Sequence, residues 1–137
     1  MEKNELAYFE DLESTGITCP HEDAFQANGD KIYFRVLKGD EITSESFLPT
    51  PIKNERPLPP QCDACILKSV SIYDDLEGLI NGYFRLPSNK GKKKRIGILK
   101  LNSRDGMLKQ TFGANHHSWW RSTAFDHTKV EMKEIVL

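Results

Sequence analysis

The sequence predicts an α+β fold built on a mostly antiparallel β-sheet, either continuous or split, with few helices. Short segments rich in β-branched and aromatic residues recur along the chain, and glycine, asparagine and aspartate mark their ends. Only one long stretch shows helical periodicity, and no internal repeat is present. A length of 137 residues suits a single domain, 1–137, with enough surface to bury a core without cross-links.

Five segments are predicted as strands: 31–37, 69–73, 95–101, 107–112 and 129–137. The segment 95–101 is apolar at both parities, which is typical of a central strand covered on both faces. Residues 102–106 predict a turn, so that 107–112 would return beside 95–101.

Helical periodicity is convincing at one place. Apolar residues at spacings i, i+3, i+4 and i+7 predict a main helix at about 74–84, with Asp74 and Glu77 as its capping pair. A short amphipathic helix is expected over 5–12. Five of the seven prolines fall within 48–61, which predicts a long extended loop there.

Charge is unevenly distributed along the chain. Residues 1–30 hold eight acidic side chains against one basic, whereas residues 84–109 hold nine basic against one acidic. The basic loop 85–95 suits an RNA phosphate partner, but it also suits a solvated turn lying near the acidic segment.

Several classes of protein are excluded by composition. No apolar run reaches the roughly 20 residues that a membrane span needs, and the acidic start leads into no secretory signal. Three cysteines fit a reducing compartment better than a disulfide framework. The sequence therefore predicts a cytoplasmic protein that has no membrane partner and no disulfide.

Strand alternation sorts the candidate site residues by face. In 31–37 the apolar set leaves Tyr33 and Arg35 on the other side, and in 69–73 Val70 and Ile72 leave Ser69, Ser71 and Tyr73. If both apolar sets face one core, the remaining side chains form a polar cleft containing Arg35 and Ser71. The alternative is that these side chains lie on the solvent-exposed face of a half-exposed sheet.

The segment 113–121 concentrates both tryptophans and two of the four histidines. If it is extended, His117 and Trp119 share one face, while His116, Ser118 and Trp120 share the other. His117 then suits general acid or base chemistry, since the unperturbed pKa of histidine is about 6.5. Trp119 and Trp120 suit stacking on a base, although buried tryptophans with hydrogen-bonded histidines are an equally ordinary arrangement.

A metal site is a weaker alternative. Cys62 and Cys65 have CxxC spacing, and Cys19 and His21 could supply a second pair of zinc ligands. That second pair is irregular, so the sequence favours no metal. No helix signal follows Cys65 to support a thiol redox role.

Two resemblances follow from these residues. The succession Asp23-Ala24-Phe25-Gln26, Tyr33-Phe34-Arg35, Arg56-Pro57, Cys65, Ser69-Val70-Ser71 and His116-His117-Ser118-Trp119-Trp120 resembles that of small uncharacterised bacterial proteins, which imply no activity. The order of parts is also similar to ADP-ribosyltransferase-like folds. That resemblance implies NAD as cofactor, Arg35 at the ribose and phosphates, and the Ser69-Val70-Ser71 strand beside them. The chain has no late Glu-x-Glu, only Glu131-Met132-Lys133-Glu134, and His117 would take that place.

The leading hypothesis is a protein that binds a nucleotide or phosphate ester and acts as a transferase or RNA-phosphate-processing enzyme. Arg35 would hold a phosphate, Ser71 a ribose, and His117 would be the acid or base. Tyr33, Ser69, Tyr73, His116, Trp119 and Trp120 would bind substrate. The alternative is a non-catalytic, immunity-type protein that binds a protein partner through the proline loop and the two tryptophans.

Overall fold

The computed structural model describes residues 6–27, 31–37, 41–47, 63–81, 93–111 and 115–136. Within them lie seven strands: β1 (Phe25–Gln26), β2 (Ile32–Leu37), β3 (Val70–Tyr73), β4 (Lys93–Lys100), β5 (Gly106–Gln110), β6 (His116–Arg121) and β7 (Glu131–Val136). They form one antiparallel sheet in the order β1-β5-β6-β3-β2-β4-β7. Two short helices, α1 (Ala64–Leu67) and α2 (Leu76–Leu79), and 3-10 turns at Glu13–Thr15, Ser44–Phe47 and His127–Lys129 complete the described residues. The predicted α+β class is confirmed.

The five predicted strands correspond to β2, β3, β4, β5 and β7. The pairing expected for 107–112 is wrong, because β5 lies between β1 and β6, whereas β4 lies between β2 and β7. The predicted turn forms at 102–105, but it carries the chain to the other half of the sheet. There the backbone of Gly106 pairs with Arg121 of β6, and the hairpin expected with β4 does not form.

The helices differ from their predictions at both ends. The main helix begins one residue later than the capping pair implied, because Asp75 is the N-cap and accepts from the Gly78 N–H at 3.0 Å. Its α-helical part ends at Leu79, π-helical geometry follows at 80–81, and 82–84 lie outside the described residues.

The expected N-terminal helix is absent over residues 6–12, where the structure describes the chain. The backbone there bonds to the end of β6 and beyond: the Phe9 N–H donates to the Arg121 carbonyl at 3.2 Å, and the Thr123 N–H to the Ala7 carbonyl at 2.8 Å. These bonds satisfy main-chain groups that a helix would have used internally.

Both faces of the sheet are covered. Face A carries a core cluster that includes Tyr33, Leu37, Val70, Ile72, Leu108 and Trp119. Face B carries two clusters, one around Met107 and Trp120 and one around Phe34, Val36 and Tyr73. Phe34 pairs directly with Tyr73, so the apolar sets of β2 and β3 face opposite sides. The expectation that Ile32, Phe34 and Val36 share a core with Val70 and Ile72 is therefore wrong.

The ladder between β2 and β3 has the fewest register pairs in the sheet. Their ladder has one register pair, Phe34 with Tyr73, whereas β2 and β4 share six. Beyond that pair the Arg35 guanidinium takes over, because Nη1 donates to the Ser71 carbonyl at 2.7 Å and Nε to the Ser46 carbonyl at 3.0 Å. The Arg35 side chain thus supplies the hydrogen bond to the Ser71 carbonyl that a longer ladder between β2 and β3 would supply from the main chain.

Two sequence features fall largely beyond the described residues. The proline loop 48–61 lies outside them, and of the basic loop 85–95 only 93–95 is described, as the start of β4. None of the described helices combines the length and apolar character that crossing a bilayer requires.

Among the four glycines that the structure describes, Gly106 is expected to be the one that the fold tolerates replacing least. Its φ is +133°, and an added Cβ would lie 2.0 Å from the Trp120 carbonyl oxygen and 2.9 Å from Trp119 Nε1. Gly106→Ala should lower the free energy of unfolding by at least about 3 kcal/mol in chemical denaturation.

Gly16→Ala is the matched control, because Gly16 has φ +71° but no atom within 4 Å of the added Cβ. It should cost about 1 kcal/mol, the penalty of the left-handed backbone alone. Equal losses in the two variants would contradict the steric account.

Candidate functional site

Arg35, Ser71 and His117, the predicted catalytic residues, do not converge in one pocket. β2 and β3 lie in the same sheet, as expected, but the prediction that Arg35 and Ser71 share a face is wrong. The Phe34–Tyr73 register places the Ser71 side chain on face B and that of Arg35 on face A. Arg35 contacts Ser71 only at its main-chain carbonyl in the contacts described.

The Arg35 guanidinium is built into the framework of the sheet. Burial, and secondarily the positive charge of Arg121, lower the pKa of Arg35 to about 10. That value still leaves the side chain charged at neutral pH, and two of its N–H groups are directed at main-chain carbonyls. The described contacts therefore favour a structural role over phosphate binding.

The residues expected to bind substrate on β2 and β3 are also packed into the structure. Tyr33 is 2% exposed and belongs to the face A core. Tyr73 packs against the second face B cluster, and burial raises its pKa. The Ser69 hydroxyl donates to the Ile66 carbonyl at 2.6 Å, which ties the end of α1 to β3.

The alternation expected for the histidine and tryptophan segment is confirmed, since all of it from 116 to 121 forms β6. His117 and Trp119 pair with Ile72 and Val70 on face A. His116 lies on face B, where its Nδ1 is 3.0 Å from Thr111 Oγ1. Its imidazole ring contacts the Tyr73 ring edge-on at a centroid distance of 5.1 Å. Burial lowers the pKa of His116, so it is a neutral, hydrogen-bonded core histidine.

The two tryptophans are core residues. Trp119 is 0% and Trp120 is 1% exposed. The Trp119 Nε1–H donates to the Asp105 carbonyl at 3.0 Å, and the Trp120 Nε1–H donates to the Cys65 carbonyl at 2.9 Å. Neither indole is presented to solvent for stacking on a base or for binding a partner. Their role is to fix the β4–β5 turn and α1 against the sheet.

His117 is buried beside an ion pair at the end of β3. Lys31 Nζ lies 3.2 Å from Asp74 Oδ2, which is 4.0 Å from His117 Nδ1. That nitrogen has no hydrogen-bond partner among the described residues. Burial lowers the pKa of His117, and the nearby Asp74 carboxylate only partly offsets the effect. A side chain 5% exposed cannot meet a substrate without rearrangement.

Cys19 and Cys65 form a disulfide, so the expectation of no disulfide is wrong. Asp63 is the sequence signal for the helix that carries Cys65, because it is the N-cap of α1 and accepts from the Ile66 N–H at 2.9 Å. The helix at this place, α1, does not follow the CxxC but contains Cys65 and ends at Leu67. Cys62 lies outside the described residues.

Side chains of three kinds that can bind a metal ion, a histidine, an aspartate and a cysteine, meet at this disulfide. Ligand atoms of His21, Asp63 and Cys65 lie within 4.8 Å of one another. Cys19 and His21, from the metal alternative, are thus brought to Cys65, and Asp63 joins them. In the oxidised protein both sulfurs are bonded to each other, so they offer no thiolates to a zinc ion.

A cleft of about 510 Å³ opens where β2 and β7 begin and β4 ends. We refer to it as the strand-end cleft. Its apolar lining consists of Ile32, Ile98, Phe125 and Val130. Its charged lining consists of Lys100, Arg104 and Lys129 together with Asp105, Asp126 and Glu131. This volume is in the range typical of small-molecule sites.

Local hydrogen bonds position the basic residues of the cleft. The turn that presents Arg104 is closed by Asp105, whose Oδ2 accepts from the Asn102 N–H at 2.8 Å. Lys129 ends a 3-10 turn capped by Asp126, whose Oδ1 accepts from the Thr128 N–H at 3.0 Å. Hydrogen bonds from Thr128 lower the pKa of Asp126, whereas burial raises that of Asp105.

The strand-end cleft could not be predicted from local patterns because its lining comes from three separated stretches of the chain, at 32, 98–105 and 124–131. A usable signal was present in Asn102-Ser103-Arg104-Asp105, a turn sequence that places an arginine at its tip. The strand ends that meet there depend on the order of β2, β4 and β7, which local patterns do not contain.

Replacing Arg35 by methionine tests its structural role. The Ser46 and Ser71 carbonyls would lose their charged donor, so Arg35→Met should destabilise the protein by about 2 kcal/mol or more in urea unfolding. Ser71→Ala should cost less than about 1 kcal/mol, because the contact uses the main chain. A stable Arg35→Met protein would argue against this account.

His117 is expected to make stability depend on pH. The unfolded chain takes up a proton near pH 6.5, but the folded protein, whose His117 pKa is lowered, does not. Stability should therefore fall as pH drops below about 6.5, by up to about 1.4 kcal/mol per pH unit for this group. His117→Phe should flatten the curve measured by urea unfolding between pH 7 and 5, and His127→Gln serves as the control. Parallel wild-type and His117→Phe curves would be the contrary result.

Comparison with known proteins assigns neither a family nor a function to this chain. No protein-family model, curated protein sequence or solved structure matches this chain. The function must therefore be argued from the geometry and charges of the described residues.

Proposed function

We propose that the protein binds a nucleotide, or a closely related phosphate ester, in the strand-end cleft. One observation carries the proposal: Lys100, Arg104 and Lys129 line the same cleft, and none forms an ion pair within 4 Å in the described part of the chain. Elsewhere, basic side chains such as Lys31, Lys109 and Arg121 are matched by carboxylates at 3.1 to 3.2 Å. Asp105, Asp126 and Glu131 line the same cleft, but none of them lies within ion-pair distance of these three cations, so an anionic ligand would pair with the cations more closely than the carboxylates do.

The rest of the lining favours a nucleotide over free phosphate. Ile32 is 45% exposed although it is a large apolar residue on a strand, and it lies beside the half-buried Phe125. A base or nicotinamide ring would cover both. The carboxylates of Asp126 and Glu131 suit ribose hydroxyls as hydrogen-bond acceptors. Inorganic phosphate would use neither the apolar surface nor the acceptors.

This proposal keeps the ligand class that the sequence suggested, but with different residues. Arg35, Ser71 and His117 are not part of the strand-end cleft, so no catalytic role is assigned to them. The competing protein-binding function uses the proline loop 48–61, which lies outside the described residues, and an exposed pair of tryptophans, and both tryptophans are buried. NAD remains one ligand to test, alongside nucleotides and RNA.

Ligand titration tests the proposal directly. ATP, ADP-ribose, NAD and a short RNA should be titrated into the protein by calorimetry, and by NMR with the signals of Ile32 and Phe125 as reporters. Lys100→Gln and Arg104→Gln should each weaken binding by about 10- to 150-fold, the loss of a charged hydrogen bond of about 1.5 to 3 kcal/mol.

Lys133→Gln is the matched control, since Lys133 is an exposed lysine of β7 outside the cleft lining. It should leave the dissociation constant unchanged. The proposal fails if none of the four ligands binds at millimolar concentration, or if all three variants weaken binding equally.

A further inference from the structure

The Cys19–Cys65 disulfide has two sulfurs in very different surroundings. Cys65 is 0% exposed and packs in the face B cluster with Trp120. Cys19 is half-buried and, with Pro20, lines a groove of about 560 Å³ whose other wall includes Tyr8 and Leu12. A molecule in this groove would therefore contact Cys19 and not Cys65.

A chain of ionisable groups ends beside the buried sulfur. His21 Nε2 is 2.8 Å from Asp63 Oδ2, and His21 Nδ1 is 2.9 Å from Lys109 Nζ. Lys109 Nζ is in turn 3.1 Å from Asp23 Oδ1. Ligand atoms of His21 and Asp63 both lie within 4.8 Å of Cys65 Sγ. The His21 imidazole and the Asp63 carboxylate therefore lie within 4.8 Å of the sulfur on which a thiolate would form on reduction, and the Lys109 ammonium contacts the imidazole from its other side.

We propose that Cys19–Cys65 is a redox-active disulfide that undergoes exchange with a dithiol, with His21 as the proton donor to Cys65. This activity is independent of nucleotide binding, because it shares no residue with the strand-end cleft. A cross-link that served stability alone would need neither a groove at one sulfur nor a histidine at the other.

The exchange balances in two steps. A thiolate of the reductant attacks Cys19 Sγ, a mixed disulfide forms, and the Cys19–Cys65 bond breaks with its electron pair moving to Cys65 Sγ. The Nε2–H of His21 is then transferred to the Cys65 thiolate, and His21 Nδ1, which accepts from Lys109 Nζ at 2.9 Å, takes a replacement proton from that ammonium. The second thiol of the reductant attacks the mixed disulfide and releases Cys19. The dithiol thereby loses two electrons and two protons, and the protein disulfide gains them.

The first test uses the full chain with Cys62→Ser, which leaves the Cys19–Cys65 pair as its only cysteines. The oxidised protein is treated with dithiothreitol at pH 7 in EDTA, and reduction is followed by alkylation and mass spectrometry, and by the fluorescence of the adjacent Trp120. We expect the folded protein to be reduced at least about tenfold faster than the same chain unfolded in guanidinium, because a positioned proton donor accelerates the step.

Variants separate this activity from a structural cross-link. His21→Gln and Asp63→Asn should each slow reduction of the folded protein about tenfold or more while leaving the rate in guanidinium unchanged. His127→Gln is the control and should change neither rate. Circular dichroism establishes that each variant is folded.

Three results would overturn the proposal. They are reduction that occurs only after unfolding, equal rates for wild type and both variants, and a purified protein in which peptide mapping finds no Cys19–Cys65 bond. A variant that fails to fold would be replaced by Lys109→Gln, which keeps His21 and removes only the neighbouring ammonium. It should slow release of the Cys65 thiolate, and an unchanged rate would count against the proposed charge network.

Discussion

The guanidinium of Arg35 holds together the two halves of the sheet. On one side lie β1, β5, β6 and β3, and on the other lie β2, β4 and β7. Between them the main-chain ladder has a single register pair, and the Arg35 hydrogen bond to the Ser71 carbonyl adds a second link across the junction, while its bond to the Ser46 carbonyl anchors the 3-10 turn Ser44–Phe47. The partly buried charge is stable there because strong acceptors surround it. The cores on both faces depend on this junction.

The positions of most strands could be predicted from the sequence, but the order in which the strands pair could not. Alternation and β-branched residues located β2, β3, β4, β5 and β7, and alternation also sorted His117 and Trp119 from His116 and Trp120. Pairing is a tertiary property, and one register pair, Phe34 with Tyr73, reverses the relation between Arg35 and Ser71. The same limit explains why Cys19 and Cys65, which lie 46 residues apart, were not recognised as partners.

Residue types that suggest catalysis can instead serve as buried hydrogen-bonding groups in the core. The indole N–H groups of Trp119 and Trp120 both reach main-chain carbonyls, and His116 bonds to Thr111. What distinguishes the strand-end cleft is that none of its three basic side chains has a carboxylate within 4 Å in the described residues, and the disulfide is distinguished by the unequal burial of its two cysteines. Accessibility and charge balance, more than residue identity, direct attention to these two places.

The order of the strands also determines how the protein must fold. Among the described strands, only β5 and β6 are sheet neighbours joined by a short connection, from Gln110 to His116. The next shortest connection between neighbours runs from Lys100 to Glu131. Each remaining pair closes a loop of about 30 residues or more, and this entropy is lost before the pairing energy is gained. The β5–β6 hairpin is thus the natural nucleus, and so high a contact order places folding in the millisecond-to-second range.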